Sequence, residues 1–155
     1  MAWIDKLNLF SDSQAVTASA ISNVMEVVRG YTGTLQSNTT IDLGCTPSDL
    51  YLEIRVTETV TADGAATVTF SLESDSTADL ATSATVHWTT AAIGKATLTA
   101  GYKVATLKLP GGNYEKYLGV RYTVATGPLT AGKFTAYLTN GQDIHKNFAV
   151  GTEIQ

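Results

Sequence analysis

Apolar and polar side chains alternate with a period of two residues through much of the chain from residue 50 to residue 139. In the first such run, positions 50, 52, 54 and 56 carry leucine, isoleucine or valine, whereas Tyr51, Glu53, Arg55 and Thr57 alternate with them. This period is typical of a β-strand that buries one face in a core. The pattern therefore predicts a half-buried strand here, with the four polar or aromatic positions facing outward.

Further runs repeat the alternation and are separated by turn signals at 62–64, 94, 110–112, 127–128 and 140–141. Strand 50–57 is expected to pair with strand 67–73 as a hairpin, and strand 104–109 with strand 117–124 as a second hairpin. Weaker patterns predict strands at 14–20, 22–28 and 39–43. The predicted inward residues of the clear runs are Val68, Phe70, Leu72, Val86, Trp88, Leu98, Ala105, Leu107, Leu109, Leu118, Val120, Tyr122, Val124, Phe134, Ala136 and Leu138.

Eight or nine short strands at this spacing, with no helical period between them, predict an all-β fold. The arrangement expected is an antiparallel β-sandwich of jelly-roll type that forms one domain over residues 1–155. The body is placed at about 14–139, with extended arms at 1–13 and 140–155.

The two arms mix apolar side chains with charges and show no stable period. Such segments either cap the ends of a sandwich or reach another chain. The candidate residues for contact with another chain are Trp3, Leu7, Phe10, Ile144 and Phe148. The alternative is that aromatic side chains such as Trp3 and Phe10 fill the ends of their own sandwich.

Composition narrows the classes of partner. The net charge of −4 repels phosphate backbones, which argues against nucleic acid as a partner. The apolar runs are too short to span a bilayer, so no membrane partner is expected. A single cysteine, Cys45, and the lack of a signal-peptide pattern at the start predict synthesis in a reducing cytoplasm. Only 15% of the residues are charged, which is typical of a surface that contacts other proteins.

The sequence contains no specific catalytic motif. His87 is predicted to face solvent from a strand, and His145 lies in the C-terminal arm. Glu73, Asp75 and Asp79 lack the regular ligand spacing of a calcium loop and are expected to form a solvated turn. Metal-ligand pairs, a nucleophile elbow and a phosphate-binding loop are all missing from the sequence. We therefore expect no enzymatic activity, no cofactor and no metal.

Several segments resemble the capsid cement proteins of tailed bacteriophages typified by a Bordetella phage. In the first half these are LFSDSQAVT at 9–17, IDLG at 41–44 and DGAATV at 63–68. In the second half they are ATLTAG at 96–101, KLP at 108–110, YLGVRYTV at 117–124 and GPLTAGKFTAYLT at 127–139. The sequence departs from the family pattern at 22–38, where extra length is expected to form a surface loop specific to one shell.

The resemblance implies a structural virion protein on the outer surface of the head. It implies a jelly-roll domain that forms a homo-oligomer, either a dimer or a trimer, and binds the major capsid protein to cement the mature shell. The alternative is a carbohydrate-binding jelly-roll module of a head fibre or tail. That alternative rests on Tyr51, Tyr117 and Tyr137, which are predicted to point outward.

Overall fold

A computed structural model describes residues 6–27, 42–44 and 50–140 of the chain. Within these residues there are ten β-strands, one 3₁₀ turn (Lys6–Asn8) and no α-helix, so the all-β expectation is confirmed. The strands are β1 (Leu9–Ala15), β2 (Ala20–Ile21), β3 (Met25–Glu26), β4 (Leu50–Thr61), β5 (Thr67–Asp75), β6 (Thr85–Thr89), β7 (Ile93–Gly94), β8 (Lys103–Lys108), β9 (Tyr117–Ala125) and β10 (Ala131–Asn140). Three of them have only two residues, too few to show an alternation in the sequence.

The strands form two antiparallel sheets that pack as a sandwich. The four-stranded sheet has the order β1-β10-β4-β8. The six-stranded sheet has the order β2-β9-β5-β6, with β3 paired to β9 and β7 paired to β5. The longest pairings, β10 with β4 and β5 with β9, lie in the middle of the two sheets.

Both hairpins predicted from the sequence are wrong. Strand β4 belongs to the four-stranded sheet, whereas β5 belongs to the six-stranded sheet, and β8 and β9 are divided in the same way. Each connection therefore crosses from one sheet to the other. The alternation of side chains shows only which face is buried, and both sheets bury the same kinds of residue. It cannot distinguish a hairpin from a crossing.

The core contains the inward residues of the long strands. Its centre is an aromatic group in which Phe70 contacts Tyr122 edge-on at 5.7 Å and Phe134 edge-on at 5.1 Å between ring centroids. Tyr122 and Phe134 stack at 5.3 Å. Since Phe134 lies on β10 and the other two rings lie on β5 and β9, this group joins the two sheets. Aromatic pairs of this geometry add to the stabilisation that burial provides.

The Tyr122 hydroxyl lies in this core and has a polar partner there. Its oxygen is 2.7 Å from Ser11 Oγ. The Ser11 hydroxyl donates to Gln14 Oε1 at 2.7 Å, so the Tyr122 hydroxyl is the donor to Ser11. Burial raises the pKa of Tyr122 to about 12, although the hydrogen bond with Ser11 acts in the opposite direction.

Strand β1 corrects the predicted boundary of the N-terminal arm. The sequence predicts an arm at 1–13, but residues 9–13 lie within β1, which pairs with β10. The Phe10 side chain is 0% exposed and belongs to the core. A second correction concerns Leu98, which was predicted to lie in a strand. It instead closes a turn in which its N–H donates to the Lys95 carbonyl at 3.1 Å, and its side chain is buried.

The edge strands are irregular or very short. The register shifts twice between β1 and β10, once between β8 and β4, and once between β6 and β5. At the remaining edge positions, β2, β3 and β7 have two residues each. Bulges and short strands are the features by which sheets resist the addition of a further strand. The edges described here are therefore poor templates for strand addition.

Candidate interaction surface

Two of the five predicted contact residues lie in the described part of the chain. Leu7, on the 3₁₀ turn before β1, is 72% exposed, the highest value among the large hydrophobic residues described. Phe10 is buried, which favours the alternative that its ring fills the sandwich. Trp3, Ile144 and Phe148 lie outside the described residues.

An apolar groove of about 680 Å³ lies beside Leu7 at one end of the sandwich. One side is formed by residues 6–9 and Asp12 at the start of β1, and the opposite side by residues 23–27 around β3. Between them lie Leu43, Leu50 and Leu138. The two sides belong to different sheets, so the groove lies between the two sheets at this end of the sandwich.

The rim of the groove carries both signs of charge. Lys6 is next to Leu7, and the acidic groups are Asp12 on β1 and Glu26 on β3. Lys116 Nζ lies 3.4 Å from the Glu26 carboxylate, and a little under half of each side chain is exposed. Ion pairs of this kind contribute little to stability.

The sequence indicated Leu7 but not the opposite side of this groove. Residues 23–27 were assigned to a predicted strand at 22–28 and to the start of the 22–38 insertion. In the structure only Met25–Glu26 form a strand, and Met25 and Val27 are partly buried against the core. A run of apolar residues that breaks the period of two was the available signal, because such a run does not fit a half-buried strand.

The three tyrosines that were predicted to point outward do not form a strip. Tyr51 and Tyr137 lie on strands of the four-stranded sheet, while Tyr117 lies on β9 of the six-stranded sheet. Tyr137 is only 3% exposed, so its predicted outward exposure is wrong. Tyr51 and Tyr117 are half-buried. These rings cannot stack together against one extended ligand.

The His87 side chain is half-buried, whereas the sequence predicts one that faces solvent. Leu72 on β5 pairs with Trp88, and the next residue, Glu73, pairs with Val86. His87, which lies between Val86 and Trp88, is therefore the extra residue of a bulge. Its ring stacks on Tyr114 with centroids 3.9 Å apart, whereas Val86 is 53% exposed. The bulge shifts the alternation by one residue at this point, which the sequence pattern does not reveal.

The His87 ring is held by hydrogen bonds as well as by stacking. Its Nε2 lies 2.7 Å from Ser74 Oγ, which also accepts the N–H of Glu115 at 3.0 Å. Either group can donate in the hydrogen bond between His87 Nε2 and Ser74 Oγ, depending on the tautomer of the ring. Burial lowers the pKa of His87, and the nearby Glu115 carboxylate opposes this shift only partly. Ser74 is fully buried, so its hydroxyl is not open to a substrate.

The predicted solvated turn at Glu73, Asp75 and Asp79 is wrong for the first two residues. Glu73 is buried and accepts hydrogen bonds from Arg121 Nε at 2.7 Å and from Ser71 Oγ at 2.6 Å. Asp75 is also buried, and its Oδ1 accepts the Thr77 N–H at 3.2 Å. Asp79 alone of the three is exposed, and a hydrogen bond from Thr77 lowers its pKa.

The outward faces of the sheets thus carry buried ion pairs. On β4, Glu53 was predicted to face solvent, but it is 1% exposed and pairs with Arg55. On the other sheet, Arg121 also donates to the carbonyl of Leu80, so it ties the 76–84 loop to β9. A buried carboxylate is tolerated only where such partners are present. Each ion pair lies within one sheet, and none of these residues lines the groove beside Leu7.

In residues 6–27, 42–44 and 50–140, no group of three or more His, Cys, Asp or Glu side chains is arranged to hold a metal ion. The described part of the chain also contains no helix with the length and hydropathy of a membrane-spanning segment.

The Bbp16 family model matches residues 10–138, which is most of the chain and the greater part of both sheets. The chain belongs to the Bbp16 family. Bbp16 is a family of Bordetella phage proteins, which confirms the phage resemblance drawn from the sequence. No curated protein matches the chain.

The matched range also places the groove within the Bbp16 fold. It begins at Phe10 and ends at Leu138, so Asp12, the 23–27 segment and the apolar centre of the groove lie within it. The 3₁₀ turn that carries Leu7 lies just before it.

Proposed function

We propose that this Bbp16 protein is a structural protein of the phage particle. In this proposal it binds the outer surface of the head and cements major capsid subunits together, without catalysis and without a nucleic-acid or membrane partner. The observation that carries the proposal is the match of the Bbp16 model over residues 10–138. The net charge of −4 agrees with a protein partner rather than nucleic acid.

A jelly-roll topology is part of the proposal. It is supported by the two connections, β4 to β5 and β8 to β9, that cross between sheets instead of forming hairpins. Crossings between two packed sheets are typical of double-sheet jelly rolls.

The contact surface proposed for the shell includes the arms and the exposed Leu7. Trp3, Ile144 and Phe148 supply the large apolar side chains of the arms, and such side chains dominate binding energy when they fill a pocket. Phe10 is left out of this surface because its ring is in the core.

The carbohydrate-binding alternative receives less support. Sugar-binding surfaces need aromatic side chains that face one ligand together. Tyr51 and Tyr117 lie on different sheets, and Tyr137 is buried. We therefore retain cementing as the proposed function.

Cementing acts through mass action. A protein that binds the mature shell and not the opened one stabilises it by about 2.7 kcal/mol per site at a concentration of about 100 times the dissociation constant. A shell offers many equivalent sites, so modest affinity at each site suffices.

The test compares the full chain with truncated chains on shells stripped of this protein. One variant lacks residues 1–5 and the other lacks 141–155; both leave β1 and β10 intact. We expect both to fold, but to show lower shell occupancy and a lower temperature of shell rupture at matched concentration. A full chain that does not bind the shell would overturn the cement function. Truncated chains that bind as well as the full chain would overturn the role of the arms.

A further inference from the structure

We propose that the loop at residues 76–84, which joins β5 to β6, is a strap with a closed and an open state. In the closed state, which the structure shows, Leu80 holds the loop against the outer face of the six-stranded sheet. In the open state Leu80 leaves this site, and the segment at 22–27 that forms one side of the groove is released with it. The inference goes beyond the proposed function, because it concerns a conformational change within one chain.

The first argument is that a single side chain attaches the loop to the sheet. From residue 76 to residue 84, all of which the structure describes, only Leu80 is buried. It is fully buried, yet it is not part of the hydrophobic core between the sheets. Its Cδ1 lies 2.7 Å from the point that a Cβ on Gly119 would occupy. Leu118 and Val120 are in the core, so Gly119 between them faces away from it.

The second argument is that the closed loop contains unfavourable groups. Leu80 has a φ of 47° and Ser83 a φ of 68°, in the left-handed region that is costly for leucine and serine. Asp75, the last residue before the loop, is buried, and its Oδ2 has no hydrogen-bond partner among the described residues. An open loop relaxes both backbone angles and gives this oxygen access to water. Backbone strain of this kind is typical of switch segments.

The third argument is that these costs are opposed by a small number of contacts. Arg121 donates one hydrogen bond to the Leu80 carbonyl and another from its Nε to the Glu73 carboxylate at 2.7 Å. The closed loop is thus held by the burial of one leucine and by one charge-assisted hydrogen bond. Contributions of this size are comparable to the opposing strain and to the cost of an unpaired buried oxygen. The two states are therefore close in free energy, and the open state is a minor state of the folded chain.

The fourth argument connects the loop to the groove. The point that a Cβ on Gly119 would occupy also lies 3.4 Å from Val24 Cγ2 and 3.6 Å from Ser22 Oγ. Leu80 and the 22–27 segment therefore border the same space, and Val24 also lines the groove. Strands β2 and β3, which attach this part of the chain to β9, have two residues each. When Leu80 leaves, the segment loses a side chain on which its position depends.

The test follows the loop and the segment separately in the full chain. Cleavage within 76–84 by subtilisin, a protease of broad specificity, reports the opening of the loop under native conditions. Amide hydrogen exchange reports the segment through the N–H groups of Asn23 and Val27, which donate to the carbonyls of Phe10 and Lys116. We expect these two amides to exchange faster than those of β4 and β10. Their exchange should depend little on urea at low concentration, because opening the loop exposes little surface.

Substitutions at the loop should change both readouts together. Leu80→Ala should raise the cleavage rate and the exchange of Asn23 and Val27 by about tenfold or more, because it removes most of the apolar surface that holds the loop. Arg121→Lys should raise both by about fivefold or more, since lysine keeps the charge beside Glu73 but lacks the guanidinium fork. The second variant also provides the test if the first does not fold.

Two further variants give a control and a change in the opposite direction. Thr82→Ala, at an exposed position of the same loop, should change both rates by less than about threefold. Ser83→Asn should lower both by about twofold or more, because asparagine tolerates the left-handed region better than serine. A general folding defect cannot produce this slower opening.

Three results would overturn the proposal. The first is exchange of Asn23 and Val27 in the wild type that depends on urea as steeply as the exchange of β4 and β10, which means that no open state precedes global unfolding. The second is a loop that subtilisin cleaves faster in Leu80→Ala and in Arg121→Lys while Asn23 and Val27 exchange as in the wild type. The third is an unchanged rate of cleavage in both variants.

Discussion

The Asp42 carboxylate joins two turns that are 70 residues apart in the chain, since its Oδ1 accepts the N–H of Gly112 at 3.1 Å. The same oxygen accepts the N–H of Gly44 at 3.0 Å. Gly44 approaches the 110–112 turn so closely that a Cβ at this position would collide with the backbone of Gly111. The IDLG segment at 41–44 thus contributes a structural link between turns.

Asp42→Ala should lower the free energy of unfolding by about 1–3 kcal/mol, because two backbone N–H groups lose their acceptor. Asp42→Asn should retain most of the stability, since the amide oxygen can still accept both hydrogen bonds. Chemical denaturation measures the difference. The control is Asp63→Ala in an exposed turn, which should change stability by less than about 0.5 kcal/mol. Equal effects of the Asp42→Ala and Asp63→Ala substitutions would contradict the role of the link.

Gly119→Ala should destabilise the protein by about 1–3 kcal/mol through overpacking. A Cβ at this position would lie 2.7 Å from Leu80 Cδ1, and Leu80 is fully buried with a φ of 47°. Thermal or chemical unfolding of the two single variants and of Gly119→Ala with Leu80→Ala measures the coupling. The double variant should lose less stability than the two single variants lose in sum, because alanine at position 80 leaves room for the added methyl group. Additive losses of stability would show that the side chains at positions 80 and 119 do not clash.

The stability of the protein should fall as the pH drops below about 6.5, the ordinary pKa of histidine. Burial lowers the pKa of His87 in the folded chain, so the unfolded chain binds a proton first and is favoured by acid. The loss should level off below the folded pKa. In His87→Gln the difference between pH 7.5 and pH 5 should be smaller, whereas His145→Gln should leave the His87 contribution in place. The measurement is the free energy of unfolding at several pH values in this range. An equal change of this free energy with pH in the wild type and in His87→Gln would contradict the prediction.

His87→Ala should also cost about 1–2 kcal/mol at pH 7.5, because it removes the stacking on Tyr114 and the hydrogen bond with Ser74. An outward histidine, as the sequence predicted, would cost less than about 0.5 kcal/mol. Denaturant titration distinguishes the two values, and Thr89→Ala on the same strand, at an exposed position, is the control.

Ser11→Ala should destabilise the protein by about 1–3 kcal/mol, because it leaves the buried Tyr122 hydroxyl without its acceptor. Tyr122→Phe should cost about 0.5–1.5 kcal/mol, because it removes the same hydrogen bond while the Ser11 hydroxyl still donates to Gln14. The double variant should cost less than the sum, since both hydroxyls are then absent. A double-mutant cycle by chemical denaturation measures the coupling. A coupling energy of zero would show that the bond contributes nothing.

Much of the sandwich could be predicted from the sequence. The inward positions of β4, β5, β9 and β10 follow directly from the period of two, as the burial of Ile54, Phe70, Val120 and Phe134 confirms. Leu98 was also correctly assigned to the core, although it lies in a turn. The hydrophobic effect acts on individual side chains, so a local pattern is sufficient to identify them.

The candidate site was predictable only in part. Leu7 was identified because it is an apolar residue in a segment without a period. Its neighbours across the groove, Met25 and Glu26, come from a different sheet, and nothing in the local pattern brings them near Leu7. Two of the polar residues assigned to the surface, Glu53 and Glu73, are buried because an arginine from the same or a neighbouring strand pairs with each.

By itself, the sequence determined an all-β chain, the buried face of its long strands and its likeness to a phage family. Tertiary structure alone decided which strands pair, since β4 and β5 join different sheets although a short loop connects them. It also decided the bulge that turns His87 inward and the mouth between the sheets where the groove lies. The physical reason is the separation along the chain of the residues involved. Burial is specified residue by residue, whereas pairing, bulges and grooves arise from contacts between segments far apart in the chain.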